Sequence, residues 1–216
     1  MRIGVFGAGN MADALATQWA RAGHEVMIGA RVPARAEALA SRIGVRAGTL
    51  REAARFGEAV LLAVMYPGVH DVLAEVGPLE GRVLIDCTNT FANPDFAVKS
   101  PNGAKGIAAA VPGAHVVKAF NLCHESVWRR TPPEFDGRPL GVPLCGDDRG
   151  ALKVVEGLVR DLGCEPLRGG GLDRAGQLEA TAAFVVGLYV AGDDPATMLP
   201  PLEFAIGEPR PADSAG

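Results

Sequence analysis

Apolar residues in this chain fall in short continuous runs, at 3–6, 25–29, 59–64, 83–87, 115–120 and 140–145, instead of alternating with polar ones. Runs of that length suit strands covered on both faces, as in a parallel sheet. Longer amphipathic stretches lie between them, at 15–22, 33–43, 69–76, 104–110, 148–162 and 174–191. Their boundaries carry helix signals. Pro33 suits a first turn, Thr49 with Glu52 three residues on forms a capping box for a helix through Phe56, and Gly163 is a stop. Shorter strands are expected at 45–47 and 165–167, and Leu178, Ala182, Val185, Val186 and Tyr189 make an apolar face on the last helix. The alternation predicts an α/β fold of Rossmann type, a doubly wound, mostly parallel sheet. Residues 131–143 turn to Pro and Gly and read as a loop. The segment after Gly192, rich in Pro, Ala and Asp, reads as a tail poorly ordered at its end.

The first strand runs directly into Gly7-Ala8-Gly9-Asn10-Met11-Ala12. In a dinucleotide site Gly7 permits the tight turn, Gly9 lets the backbone approach the pyrophosphate, and Ala12 allows the helix to pack closely on the sheet. The helix amides then face the anion. By itself the motif is also an ordinary strand-to-helix turn; the second strand at βαβ spacing favours the nucleotide. That strand ends in Gly29-Ala30-Arg31, with Arg35 one helical turn on, where an NAD site carries Asp or Glu. Two guanidiniums suit a 2′-phosphate, so NADP(H) is the expected cofactor, against the plain alternative of two solvated surface arginines.

Bulk properties narrow the partners. With 216 residues and a formal charge of −4, the chain has no general attraction to nucleic acid or to an anionic membrane, and a small-molecule redox substrate is expected. No stretch is long and apolar enough to span a bilayer, and the chain opens on a strand instead of a leader, which points to the cytoplasm. Cys87, Cys123, Cys145 and Cys164 form no CxxC pair, and no metal site is expected.

Ligands in such folds lie beyond the carboxyl ends of the strands. That rule selects residues 7–12, 64–68, 88–90 and 118–124. Asn89 and Asn121 suit hydrogen bonds to a carboxamide or an acceptor carbonyl; Lys118, Cys123 and His124 are the candidate electrophiles or proton donors. Each has a structural alternative: a turn-satisfying Asn89, a strand-end Lys118 reaching solvent, a buried Cys123, a helix-capping His124 beside Glu125.

Several motifs in order, Gly7 to Ala12, Gly23-His24-Glu25-Val26 with Ile28 to Arg31, Val116 to Asn121, and Cys145-Gly146-Asp147-Asp148, resemble the NADP oxidoreductases that use coenzyme F420. The chain is also similar to the NADPH-binding domain of the membrane metalloreductases. Pyrroline-5-carboxylate reductases share the first motif, but their helical dimerisation domain has no room here. The resemblance implies an NADP-binding domain over 1–119, a small C-terminal α/β lobe over 120–205 covering the deazaflavin, and a tail at 206–216. It implies a homodimer and hydride transfer between NADPH and F420. By position, Gly9, Asn10 and Met11 would line the pyrophosphate, Ala30, Arg31 and Arg35 the 2′-phosphate, Val64, Met65, Tyr66 and Pro67 would flank the cofactor, and Asn121 to Cys123 the deazaflavin. Asn121 replaces the histidine of the archaeal F420 enzymes, which weakens the assignment to F420 and leaves NADP untouched. A carbonyl or imine reductase, or a non-catalytic NADP(H)-binding regulator, remain the alternatives.

Overall fold

The structure, a computed structural model, describes residues 1–92 and 96–199. Its centre is one sheet. Strands β1 (Arg2–Phe6), β2 (Glu25–Gly29), β3 (Arg46–Gly48), β4 (Ala59–Leu62), β5 (Val83–Asp86) and β6 (His115–Lys118) pair in parallel in the order β3-β2-β1-β4-β5-β6. Phe6 pairs with Gly29 on one side and Leu62 on the other, so the ends of β1, β2 and β4 are level. Between β1 and β4 the direction of winding reverses, which opens a crevice at their carboxyl ends.

Helices α1 (Asn10–Arg21), α2 (Pro33–Ile43), α3 (Leu50–Phe56), α4 (Val69–Val76) and α5 (Gly103–Ala110) cover the two faces. Ile3 and Val5 point to the layer containing Leu15, Trp19 and Leu39, while Phe6, Val60 and Leu62 point to that of Leu50, Val72 and Ile107. The two apolar layers explain why these strands read as continuous runs. The Thr49–Glu52 capping box is present in full at α3.

Beyond β6 the chain adds α6 (Glu125–Trp128), β7 (Gly141–Gly146), α7 (Arg149–Arg160), β8 (Glu165–Gly170) and α8 (Ala175–Ala191). The strands expected in a C-terminal lobe extend the same sheet to eight: β7 pairs antiparallel with β6, and β8 parallel with β7. The lobe boundary at 205 and the tail at 206–216 lie outside the described residues. Three local readings change. The first helix begins at Asn10, five residues before its apolar stretch, because the second half of the glycine motif is its first turn. The strand expected to reach Phe120 ends at Lys118, and Phe120 turns left-handed at φ 63°. Within the expected loop, Glu134–Phe135 pairs with Arg138–Pro139.

All four cysteines are free thiols, and burial pushes Cys87 up to about 12 and Cys123 and Cys164 up to about 11. The raised folded values give a clear sign. These thiols stay protonated in the fold while the unfolded chain loses protons from about pH 8.5, so their contribution is complete below that pH and is lost as pH rises toward the folded values. Denaturant midpoints measured between pH 7 and pH 10.5 should fall steadily on the alkaline side; a flat profile there would contradict the burial of the thiols.

Candidate functional site

The crevice opens into a cavity of about 760 Å³. Its floor is the turn after β1. Gly7 has φ +117°, and a Cβ there would lie 2.2 Å from the carbonyl oxygen of Ala63, so the turn can only be glycine. At Gly9 an added Cβ would meet nothing within 4 Å, which leaves open space above the backbone where α1 begins. Gly9 is the N-cap and brings no side chain to the first-turn amides. An anion fits this cradle by the positive end of the helix and by unobstructed backbone donors.

At one end the cavity is lined by Ala30, Arg31, Val32 and Arg35, the exit of β2 and the start of α2. Both guanidiniums are solvent-exposed. Arg31 reaches toward Gly68 and lies 3.7 Å from the exposed Asp71, an ion pair too open to hold it firmly. Val64, Met65, Tyr66 and Pro67, following β4, form the wall opposite. The other end is lined by Cys87, Thr88 and Asn89 after β5, together with Phe91 and Glu125. Thus Gly7, Gly9, Asn10, Met11, Ala30, Arg31, Arg35, Val64 to Pro67 and Asn89, singled out from sequence, converge on one cavity.

The candidates after β6 do not. Lys118 is fully buried, and its three N–H donors are taken: Asp86 Oδ2 at 2.9 Å, Glu179 Oε1 at 2.8 Å, and the carbonyl of Thr88. Burial pushes the ammonium down, but the two carboxylates outweigh it and hold Lys118 above its ordinary value. It neither reaches solvent nor has a donor left for a substrate, which corrects both sequence readings. Asp86 also accepts from the Thr88 amide and hydroxyl, and Glu179 from the amides of Gly103 and Ala104, so the network fixes the Thr88 wall from behind.

Asn121 is buried beside Asn89. The two residues bond twice, Asn89 Nδ2 donating to the backbone carbonyl of Asn121 at 2.8 Å and Asn121 Nδ2 donating to Asn89 Oδ1 at 3.0 Å. Of the pair, Asn89 faces the cavity. The left-handed Phe120 makes this meeting possible: its ring is wedged edge-on against Trp19 at 5.8 Å and Trp128 at 5.3 Å, and the backbone turns where a non-glycine residue rarely goes. Cys123 packs against the core as a protonated thiol.

His124 caps α6. Its Nδ1 accepts from the Ser126 amide, which leaves the ring proton on Nε2, 2.8 Å from Glu125 Oε2. Its side chain is 71 % exposed and lies outside the cavity lining, so the proton-donor assignment gives way to a capping and orienting one. Glu125, noticed from sequence only as a neighbour, is the carboxylate that lines the cavity among the described residues. Asp13, behind the cradle on α1, is pushed up by burial, but Arg129 at 2.6 Å and Arg42 at 2.7 Å bring it below the usual carboxylate range. Among the described residues no group of three His, Cys, Asp or Glu could hold a metal, and no helix is long and apolar enough to cross a membrane.

Residues 2–90 match the family described as NADP oxidoreductase, coenzyme F420-dependent. The chain is 30 % identical over 179 residues to the metalloreductase STEAP3 of Rattus norvegicus, a match covering 83 % of this chain and 36 % of that protein. It is 35 % identical over 184 residues to a glycerol-3-phosphate dehydrogenase [NAD(P)+] of Azorhizobium caulinodans, covering 77 % of this chain and 52 % of the other. This chain therefore spans only a third to a half of these curated relatives. A candidate F420-dependent NADP-reductase of Arthrobacter sp. fb24 superposes with a TM-score of 0.81 at 25 % identity, covering 89 % of this chain and 96 % of that one.

Proposed function

We propose, from the match of residues 2–90 to the family described as NADP oxidoreductase, coenzyme F420-dependent, that this chain is an NADP(H)-dependent oxidoreductase that exchanges hydride with a deazaflavin of the F420 kind. The observation that carries the cofactor is the pairing of Arg31 and Arg35 with the open Gly9 cradle along one cavity. Arg31 and Arg35 would hold the 2′-phosphate of a dinucleotide laid along it, the first turn of α1 the pyrophosphate, and Thr88 and Asn89 the nicotinamide side. Asn89, held by Asn121, is then the amide available to orient the carboxamide.

When bound, NADPH would supply the hydride that reduces the deazaflavin at C5, and water would supply the proton that completes the reduction. The chain has to align the two rings and exclude competing geometry. The withdrawal of Lys118, Cys123 and His124 from the cavity favours this chemistry over carbonyl or imine reduction, which needs a placed proton donor. The same reading gives residues 120–205 to the acceptor side. It includes a homodimer, for which the exposed Phe184, Tyr189 and Val190 of α8 offer apolar surface.

Stopped-flow absorbance with NADPH and oxidised F420 tests the reading. The oxidised deazaflavin band should bleach rapidly with NADPH and much more slowly with NADH. His124→Ala should leave the rate within about threefold, whereas loss of a general acid costs about a hundredfold. Tight NADPH binding without bleaching would remove F420 as acceptor.

A further inference from the structure

We propose that Glu125 is the acceptor for the hydroxyls of the nicotinamide-side ribose, a cofactor-positioning carboxylate on the α6 side of the cavity; this rests on the NADP(H) reading. The geometry fixes its orientation. Oε1 takes a hydrogen bond from Asn10 Nδ2 at 3.0 Å, and Oε2 is 2.8 Å from His124 Nε2. Asn10 is the first residue of α1, so the bond ties α6 across the start of the phosphate cradle. Each carboxylate oxygen keeps lone-pair capacity after these bonds, and the side chain is only 20 % exposed while lining the cavity.

Charge decides which part of the ligand it meets. The cradle and the two arginines claim the phosphates, and a carboxylate turned toward a phosphate would repel it. Among the described residues Glu125 is the acidic group in the cavity lining, and its bond with Asn10 fixes it beside the cradle, in a lining that continues to Thr88 and Asn89. The portion of a dinucleotide that follows the pyrophosphate in that direction is a ribose with two hydroxyl donors. A carboxylate accepting from vicinal ribose hydroxyls is the contact an NAD site uses at its adenosine end; here that end carries arginines, and the carboxylate is displaced to the other sugar.

Isothermal titration of three ligands of increasing length tests this assignment: adenosine 2′,5′-bisphosphate, 2′-phospho-ADP-ribose and NADPH. The first lacks the second ribose, the second carries it without nicotinamide, and the third is complete. Glu125→Ala should leave the bisphosphate within about twofold and weaken the other two about tenfold, the size of lost hydrogen bonds to a charged acceptor. Glu125→Gln, which keeps one acceptor oxygen, should fall between. Equal weakening of all three ligands would mean that Glu125 only braces the loop, and tighter binding of the longer two would mean that it repels phosphate; either overturns the proposal. If the wild-type protein binds neither the bisphosphate nor NADPH, the NADP(H) reading fails and this proposal with it, a result distinguishable before any variant is made.

Discussion

Replacing Arg31 and Arg35 together by alanine should weaken NADPH binding by about two orders of magnitude and leave NADH binding within about twofold. A hydrogen bond to a charged group contributes about 1.5–3 kcal/mol. Both guanidiniums are exposed, Arg31 with 57 % of its side chain in solvent, so the low end applies to each. Two such losses, about 3 kcal/mol together, correspond to roughly a hundredfold in Kd. The ion pair of Arg31 with Asp71 does little to offset this, being long and open to water. Fluorescence titration of NADPH and NADH at two salt concentrations checks the expectation. NADPH affinity should fall with salt in the wild type and lose that dependence in the double variant. Equal loss for both nucleotides would place the arginines away from the 2′-phosphate.

The second large effect is on stability. Lys118→Met should lower the unfolding free energy by about 3–5 kcal/mol, because it leaves Asp86 and Glu179 facing each other in the interior without their cation. For a chain of this size that corresponds to a fall in Tm of roughly 6–20 °C. Glu179→Ala should act comparably, leaving Lys118 with a single carboxylate and uncapping the amides of Gly103 and Ala104 at the start of α5. Thermal unfolding followed by circular dichroism reads both. A change below about 1 kcal/mol, the range of surface ion pairs, would show that water reaches the network. The folded value of Lys118 lies above its ordinary one, so its contribution is complete below about pH 10.4 and is lost as pH rises through the folded value, adding to the alkaline loss from the thiols.

The contrast between Arg31 and Lys118 shows what the sequence makes legible. The strands, the cradle and the arginines are written locally: Gly7, Gly9 and Arg31 act through their own backbone and the neighbouring turn, and a few adjacent residues specify them. Lys118 depends on partners 32 and 61 residues away, and Val116 and Val117 before it were the only hint that its strand is central and its side chain enclosed. Glu179 had no local sign, since a glutamate in an apolar helix reads as its solvated side. His124 and Glu125 were adjacent in sequence, yet which of them faces the cavity follows from the short helix α6, and four residues carry too little periodicity to predict it. The C-terminal strands were recognised, but their place in the main sheet depends on β7 running antiparallel to β6, which no local pattern encodes.

Glu179 also limits how the molecule can move. Its carboxylate is shared by the sheet, through Lys118, and by the start of α5, so α8 cannot swing about residues 171–175 without leaving buried charges unmatched at both attachments. A hinge at that joint is closed energetically. The α6 side is tied to α1 as well, by Asn10 with Glu125, Arg129 with Asp13 and Gln18 with the Trp128 carbonyl, so any adjustment that admits or releases an acceptor has to come from the outer wall at Met65–Pro67, whose Met65 is 82 % exposed.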